Sequence, residues 1–213
     1  MSEAIYQVEQ IKPKTHNIIK FGRHDYRVID EQDGKMLILS DKVIDFRRML
    51  PTRARTTWAE SELRGYLNSE FYNSFNDEEK TRIIQTRLEN KDNKWYKKPG
   101  GEDTDDYIFL LSIEDEIKYF GDSGDYDRRK GWYWSGEGDI MEYKSGKGQF
   151  LYDQYNAARI AEDMNGKPTF RYTRSIGKYD KAFSVVNHIG SIIVTGCYVE
   201  NNNGIRPSMW IKI

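Results

Sequence analysis

The chain is nearly without cysteine. Cys197 is the single one in 213 residues, which excludes an internal disulfide framework and any metal site built on several thiolates. Histidine is almost as scarce. His16, His24 and His188 are scattered, with no two at ligand spacing, and they read as satisfying local hydrogen bonds rather than forming a metal centre. An excess of one charge is missing too: 33 basic residues face 34 acidic ones, for a net charge of −1. That balance leaves no global field to draw the protein to nucleic acid or to an anionic membrane. No window approaches the length of a membrane span, and the opening "MSEAIYQVEQIKPK" has no apolar stretch of a secretory signal. The expected setting is therefore a reducing compartment, the cytoplasm, or release by lysis. No glycine-rich phosphate loop, no G-x-S-x-G and no H-E-x-x-H occurs. No constellation supports catalysis, and neither a cofactor nor a metal is expected.

What is present is charge, at 31%, and aromatic side chains, at 14%, including fifteen tyrosines. Apolar residues make up only 38%. A modest core under a surface rich in amphipathic rings favours recognition over compact catalysis. The length suits one domain.

Local signals predict an α+β chain. Asp33-Gly34 sits between two β-rich runs, "YRVID" and "KMLILS", and reads as a hairpin turn. "TTWAESELRGYLNSEFYNSF" reads as a helix capped by Thr57 and Glu60, with Leu63, Leu67 and Phe71 at four-residue spacing. Asn76 opens a second helix whose apolar face is expected to carry Ile83, Ile84 and Leu88. "YIFLLS" reads as a strand leading to a cap at Ser112 with Asp115, and a short helix bearing Ile113, Ile117 and Phe120 follows. Residues 121–150 have little periodicity and read as a long loop excursion. "QYNAARIAEDMNG" predicts a short helix ending on Asn165-Gly166. The last third is strand and turn. The closing run contains Ile205, Met209, Trp210, Ile211 and Ile213, too apolar to be left unpaired. It is expected to pair with the N-terminal hairpin in an antiparallel sheet.

Several segments carry a family resemblance: Phe21-Gly22 with "YRVID", "DGKMLILS", "TTWAESELRGYLNSEFY", "NKWY", "DDYIFLLSIED", "YTRSIG … AFSVVNHIGS" and "GIRPSMWIKI". In this order they resemble a bacterial and phage domain family of unknown function that ends in a G-V-R-P-A-L-W-L-type strand. That family is similar in turn to the C-type-lectin-like, or formylglycine-generating-enzyme-like, fold. The resemblance implies an N-terminal extension, 1–18, and a single C-type-lectin-like domain, 19–213. Its N- and C-terminal strands would pair, with two to four helices and the 121–150 excursion between. Its setting would be the cytoplasm or a phage particle. The chain departs from the pattern at Tyr172, Thr173 and Ile176. It also lacks the paired cysteines and the histidine cluster that the copper and iron branches of that fold use.

The candidate ligand-binding residues follow. Trp132, Tyr133 and Trp134, in "GWYWSGEG", could stack on sugars, bases or a partner's side chains, since three adjacent rings cannot all point inward from one extended segment. Asn201 and Asn202 read first as a turn and second as an adaptable contact surface. Arg174 and Arg206 offer bidentate forks for an anion. The competing and preferred reading makes them framework arginines that tie loop carbonyls beneath the sheet, alongside Trp58, Leu63, Leu67 and Phe109. "GGEDTDD", 100–106, could hold calcium but reads better as a mobile acidic turn. The function expected is a non-catalytic module binding a protein or a glycan. The alternatives are an enzyme with its site among the same loops, or a phage or defence protein that sequesters a nucleotide or a partner.

Overall fold

Asp33 and Gly34 both adopt left-handed backbone, φ 51° and 72°, which matches the twist that a two-residue hairpin needs. They join β2 (His24–Gln32) to β3 (Lys35–Ser40), and β1 (Ile18–Phe21) lies on the far side of β2. The computed structural model describes residues 9–11, 17–135, 142–146 and 148–213. The chain's last strand, β15 (Ser208–Lys212), runs antiparallel to β3 with Trp210 opposite Leu37. On its other side it pairs with β5 (Ile83–Ile84), which completes a five-stranded sheet.

A second, eight-stranded sheet has the order β4 (Asp45–Arg47), β14 (Asn203–Ile205), β11 (Arg171–Ile176), β12 (Ala182–Val186), β13 (Ile192–Tyr198), β10 (Phe150–Leu151), β8 (Gly131–Ser135) and β9 (Glu142–Gly146). All its pairings are antiparallel except β11 with β14. With short helices between the strands, the architecture is α+β with open sheets. The chain passes from the second sheet to the first through Arg206-Pro207. Proline has no N–H for a continuing ladder. Arg206 Nε instead donates to the Ser40 carbonyl at 2.6 Å, and Ser40 N–H donates to the Pro207 carbonyl at 2.9 Å. The Arg-Pro pair thus fastens the end of β3 to the start of β15.

Two apolar clusters fill the space around the sheets. The larger includes Tyr26, Leu37, Trp58, Leu67, Phe109, Phe183 and Met209, and the smaller gathers Trp95, Tyr126, Val186 and Val194. Full burial of each Leu-sized side chain contributes about 1.5–3 kcal/mol. β12 is buried at all five positions, so its two faces belong to packed layers.

The structure corrects several sequence-based expectations. The first helix, α1 (Glu62–Tyr66), is capped by Ser61, whose hydroxyl accepts from Arg64 N–H at 3.2 Å. It does not begin at Thr57: residues 58–60 form a turn, in which Trp58 is wholly buried and donates its indole N–H to Asp106 at 2.8 Å. α1 continues as a π turn, Leu67–Phe71. The Asn68 amide inserts there, donating to the carbonyls of Arg64 and Ile108 and accepting from Tyr107 N–H, and such an insertion widens the helical ladder. The second helix, α2 (Asp77–Arg82), has the Asn76 capping box but stops before Ile83. Ile83 and Ile84 join β5, and Thr86–Leu88 forms β6 against β7 (Thr104–Asp106). β-Branched residues with a free strand edge beside them gain more from the sheet.

"YIFLLS" is not a regular strand. Phe109 alone bridges Ser208, while Ile108, Leu110 and Leu111 are buried around it. The third helix, α3 (Ile113–Phe120), carries the Ser112–Asp115 capping box. The fourth, α4 (Asn156–Arg159), is a single turn. Asn165-Gly166 lies beyond it in a turn with Gly166 at φ +80°. Within the excursion at 121–150, residues 121–130 are turn and loop, while Gly131–Ser135 and Glu142–Gly146 form a β8–β9 hairpin with β10 beside it. The acidic 102–106 run is pinned rather than mobile. Asp106 is fully buried and accepts from Trp58, Arg64 and Thr104, and Asp103 accepts from Asn90 N–H.

Candidate functional site

The turn between β13 and β14 exposes Asn201 and Asn202. Below it, the buried Tyr172 hydroxyl lies between the carbonyls of Tyr198 and Asn201, at 2.8 and 3.0 Å, and shares its one proton between them. Burial raises that phenol's pKa well above the usual range. The turn is therefore held from beneath while its side chains face solvent.

β14 pairs with β4, Asn203 opposite Arg47 and Gly204 opposite Phe46, and Met49 and Leu50 both donate their N–H groups to the Val199 carbonyl. These bonds bring the segment "FRRMLPTRAR", residues 46–55, against the turn. Its four arginines meet different surroundings. Arg47 pairs with Asp45 at 2.9 Å and lies 3.3 Å from the ring centre of Tyr66. Arg53 pairs with Glu200 and covers the Tyr198 ring at 3.9 Å. Arg55 pairs with Asp180 at 3.0 Å. Arg48 is exposed. Burial alone would raise the Glu200 carboxyl, but its own backbone N–H and Arg53 outweigh that and hold it below the usual carboxylate range.

Two clefts open on either side of the turn. One, of about 610 Å³, lies between β4 and α1 with its π turn. It is lined by Phe46, Arg47, Arg48, Glu62, Tyr66 and Glu70, with Asn202 on its rim. The other, of about 380 Å³, is lined by Gln149, Lys178, Tyr179, Cys197 and Tyr198, with Asn201 on its rim. Tyr179 stacks with Tyr198 at 6.4 Å and is 45% exposed. Burial raises the pKa of the Cys197 thiol, so the neutral form prevails near the second cleft.

The sequence-derived candidates fall in three places. Asn201 and Asn202 sit on the rims of these clefts. Trp132 and Tyr133 lie in β8 and are half-buried. Trp132 donates to the Tyr152 carbonyl at 3.2 Å, and its own carbonyl accepts from Gln149 N–H. This sets β8 next to the second cleft. Trp134 is in β8, and its side chain lies outside the described residues.

Arg174 and Arg206 line neither cleft. Arg174 is 8% exposed, donates to the Leu110 carbonyl at 3.2 Å and pairs with Asp115, on the floor of a separate depression of about 250 Å³ that Trp210 also lines. Arg206 is 2% exposed and held by the carbonyls of Ser40 and Asp41. Burial and the neighbouring Arg171 push its pKa down. Each guanidinium bonds the framework through two of its nitrogens, and Arg174 Nε and Arg206 Nη1 are buried without a hydrogen-bond partner.

Sequence reading did not single out Arg47, Arg48, Arg53, Arg55, Tyr66 or Tyr198. The available signal was four arginines within ten residues around Pro51. Among the described residues, no three His, Cys, Asp or Glu side chains gather as a metal-ligand set, and no helix is long and apolar enough to cross a membrane. His24 stacks on Phe71, His188 packs on Phe170, and His16 lies outside the described residues. Burial, with Lys20 and Arg23 nearby, lowers the His24 pKa.

Comparison with curated proteins and with solved structures finds no match. The model of one protein family, described as a domain of unknown function (DUF6273), matches residues 33–213, from the Asp33-Gly34 turn to the closing strand. With that span covering both sheets' central strands and both clefts, the chain belongs to the DUF6273 family.

Proposed function

We propose that the chain is a non-catalytic binding module, a C-type-lectin-like α+β domain of bacterial or phage origin. It recognises a protein or a glycan through the Asn201-Asn202 turn and the clefts on its two sides. The observation that carries this reading is the position of two neighbouring exposed asparagines, one on the rim of each open cleft. Asparagine offers a donor and an acceptor on one short side chain, and the tyrosines beside it supply rigid contact area at little entropic loss. The cleft volumes lie in the range that ligand sites occupy. The clasp of β3 with β15 supports the lectin-like comparison, because fixed ends let the intervening loops vary without loss of the scaffold. Near-zero net charge favours a protein or glycan over nucleic acid.

The test uses the whole chain on a glycan array and against a random-peptide display library. The variant Asn201→Ala/Asn202→Ala/Tyr179→Ala is run in parallel. The parent is expected to retain a ligand and the variant to bind it at least about tenfold more weakly, with an unchanged melting temperature because all three side chains are exposed. A ligand held equally by both proteins, or one chemically turned over, overturns the reading.

A further inference from the structure

The larger cleft is lined by charges of both signs that the chain itself does not use. The side chains of Arg48, Glu62 and Glu70 are exposed and form no ion pair or hydrogen bond with any described residue. By contrast, Arg47 in the same wall is consumed by Asp45 and by the face of Tyr66. That stack also covers one face of the ring, where a sugar would otherwise lie. Phe46, 40% exposed, keeps its ring open. The opposite wall is the helical segment that passes into the π turn, and π turns are frequent at functional sites. Glu62, Tyr66 and Glu70 follow one another at four-residue spacing along it, so the Cα atoms of the two glutamates stand about 12 Å apart along the axis at helical rise.

We infer that this cleft takes an extended polypeptide segment of a partner protein that carries charges of both signs. The inference rests on the reading above that this face binds ligands, and it names the ligand class for one of the two clefts. An extended chain rises about 3.3 Å per residue, and alternate side chains point to opposite sides. Basic side chains at positions i and i+4 of the segment therefore reach Glu62 and Glu70 from one side. An acidic side chain at an odd offset faces Arg48 from the other, and an apolar residue covers Phe46. A neutral oligosaccharide would desolvate the same three charges without offering them counter-charges.

Random linear peptides are displayed and selected on the full chain, and the enriched sequences are synthesised. The selection is expected to return the alternating charge pattern. Binding should weaken at least about tenfold for Arg48→Glu and for Glu62→Lys/Glu70→Lys, weaken with added salt, and recover when a charge-inverted peptide meets the variant with all three charges reversed. All three residues are exposed, so these variants should melt with the parent. No enriched peptide, or peptides indifferent to every reversal, overturns the inference. So does a neutral glycan whose binding is lost with Phe46→Ala but not with the reversals. A ligand that survives the reversals but is lost with the turn variant sinks this inference alone, whereas one that survives both sinks the broader reading too.

Discussion

Two sets of arginines divide this molecule. Arg159, Arg171 and Arg206 are at most 2% exposed. Arg171 forms a two-pronged pair with Glu116 at 2.5 and 2.8 Å, Arg159 meets Asp153 at 2.9 Å, and Arg206 holds backbone carbonyls. Arg47, Arg48, Arg53 and Arg55 stand around the Asn201-Asn202 turn, stacked on tyrosines, paired with solvated carboxylates, or unpaired. The difference teaches that an arginine's role follows from its solvation. Inside, each guanidinium keeps one buried nitrogen without a hydrogen-bond partner, and removing the carboxylate of a buried pair costs the fold several kcal/mol. At the rim the pairs are solvated and contribute little, and Arg48, which has no partner among the described residues, stays available to a ligand.

The largest expected break in this comparison is Glu116→Gln. It leaves the buried Arg171 without its counter-charge and should destabilise the fold by about 3–5 kcal/mol, read by urea denaturation. A loss below 1 kcal/mol would mean that water reaches the pair and that the inner set is not distinct. Arg206→Ala should follow at about 2–4 kcal/mol, because it opens a void and strands the Ser40 and Asp41 carbonyls.

Arg174 sharpens the comparison through pH. Burial would raise the Asp115 carboxyl, but Arg174 and the Ser112 cap outweigh it and hold its pKa below the ordinary value of 3.8. A depressed folded-state pKa contributes stability above the unfolded value and loses it as pH falls through the folded one. Arg174→Met should therefore unfold at a higher pH than the parent on acid titration. Its deficit should be full above about pH 4 and shrink below that. A deficit that does not change with pH would assign Arg174 to packing alone. The smallest effect is Arg55→Ala, whose pair with Asp180 is 86% exposed on the arginine side. It should shift stability by less than about 0.5 kcal/mol, and a larger loss would move the rim set towards the inner one.

Part of this was legible in the sequence because it is encoded within a few residues. Asp33-Gly34 fixes a hairpin by backbone conformation alone, and Asn76–Glu79 and Ser112–Asp115 close their capping boxes within one turn. Met209, Trp210 and Ile211 marked the closing strand as a sheet element, whereas Ile205 of the same run belongs to β14 and Ile213 lies beyond β15, 64% exposed. Other features were misread because their cause lies far along the chain. Ile83 and Ile84 continue a helical pattern on paper, but β15, more than a hundred residues later, offers them a strand edge. The π turn at Leu67–Phe71 depends on Asn68 reaching the backbone of 107–108. "YIFLLS" has the composition of a strand, yet its core residues are buried and it makes a single bridge, Phe109 to Ser208 at the start of β15.

By itself, then, the sequence determined the short-range items: turns that need left-handed backbone, helix starts with matched caps, and which strands are too apolar to remain at the surface. These depend on sterics and hydrogen bonds within about four residues. The tertiary structure alone decided which arginines are sealed and which are presented. That distinction depends on desolvation, and desolvation is set by the distant segments that cover each side chain. The β4–β14 pairing that carries the "FRRMLPTRAR" arginines to the asparagine turn is such a decision.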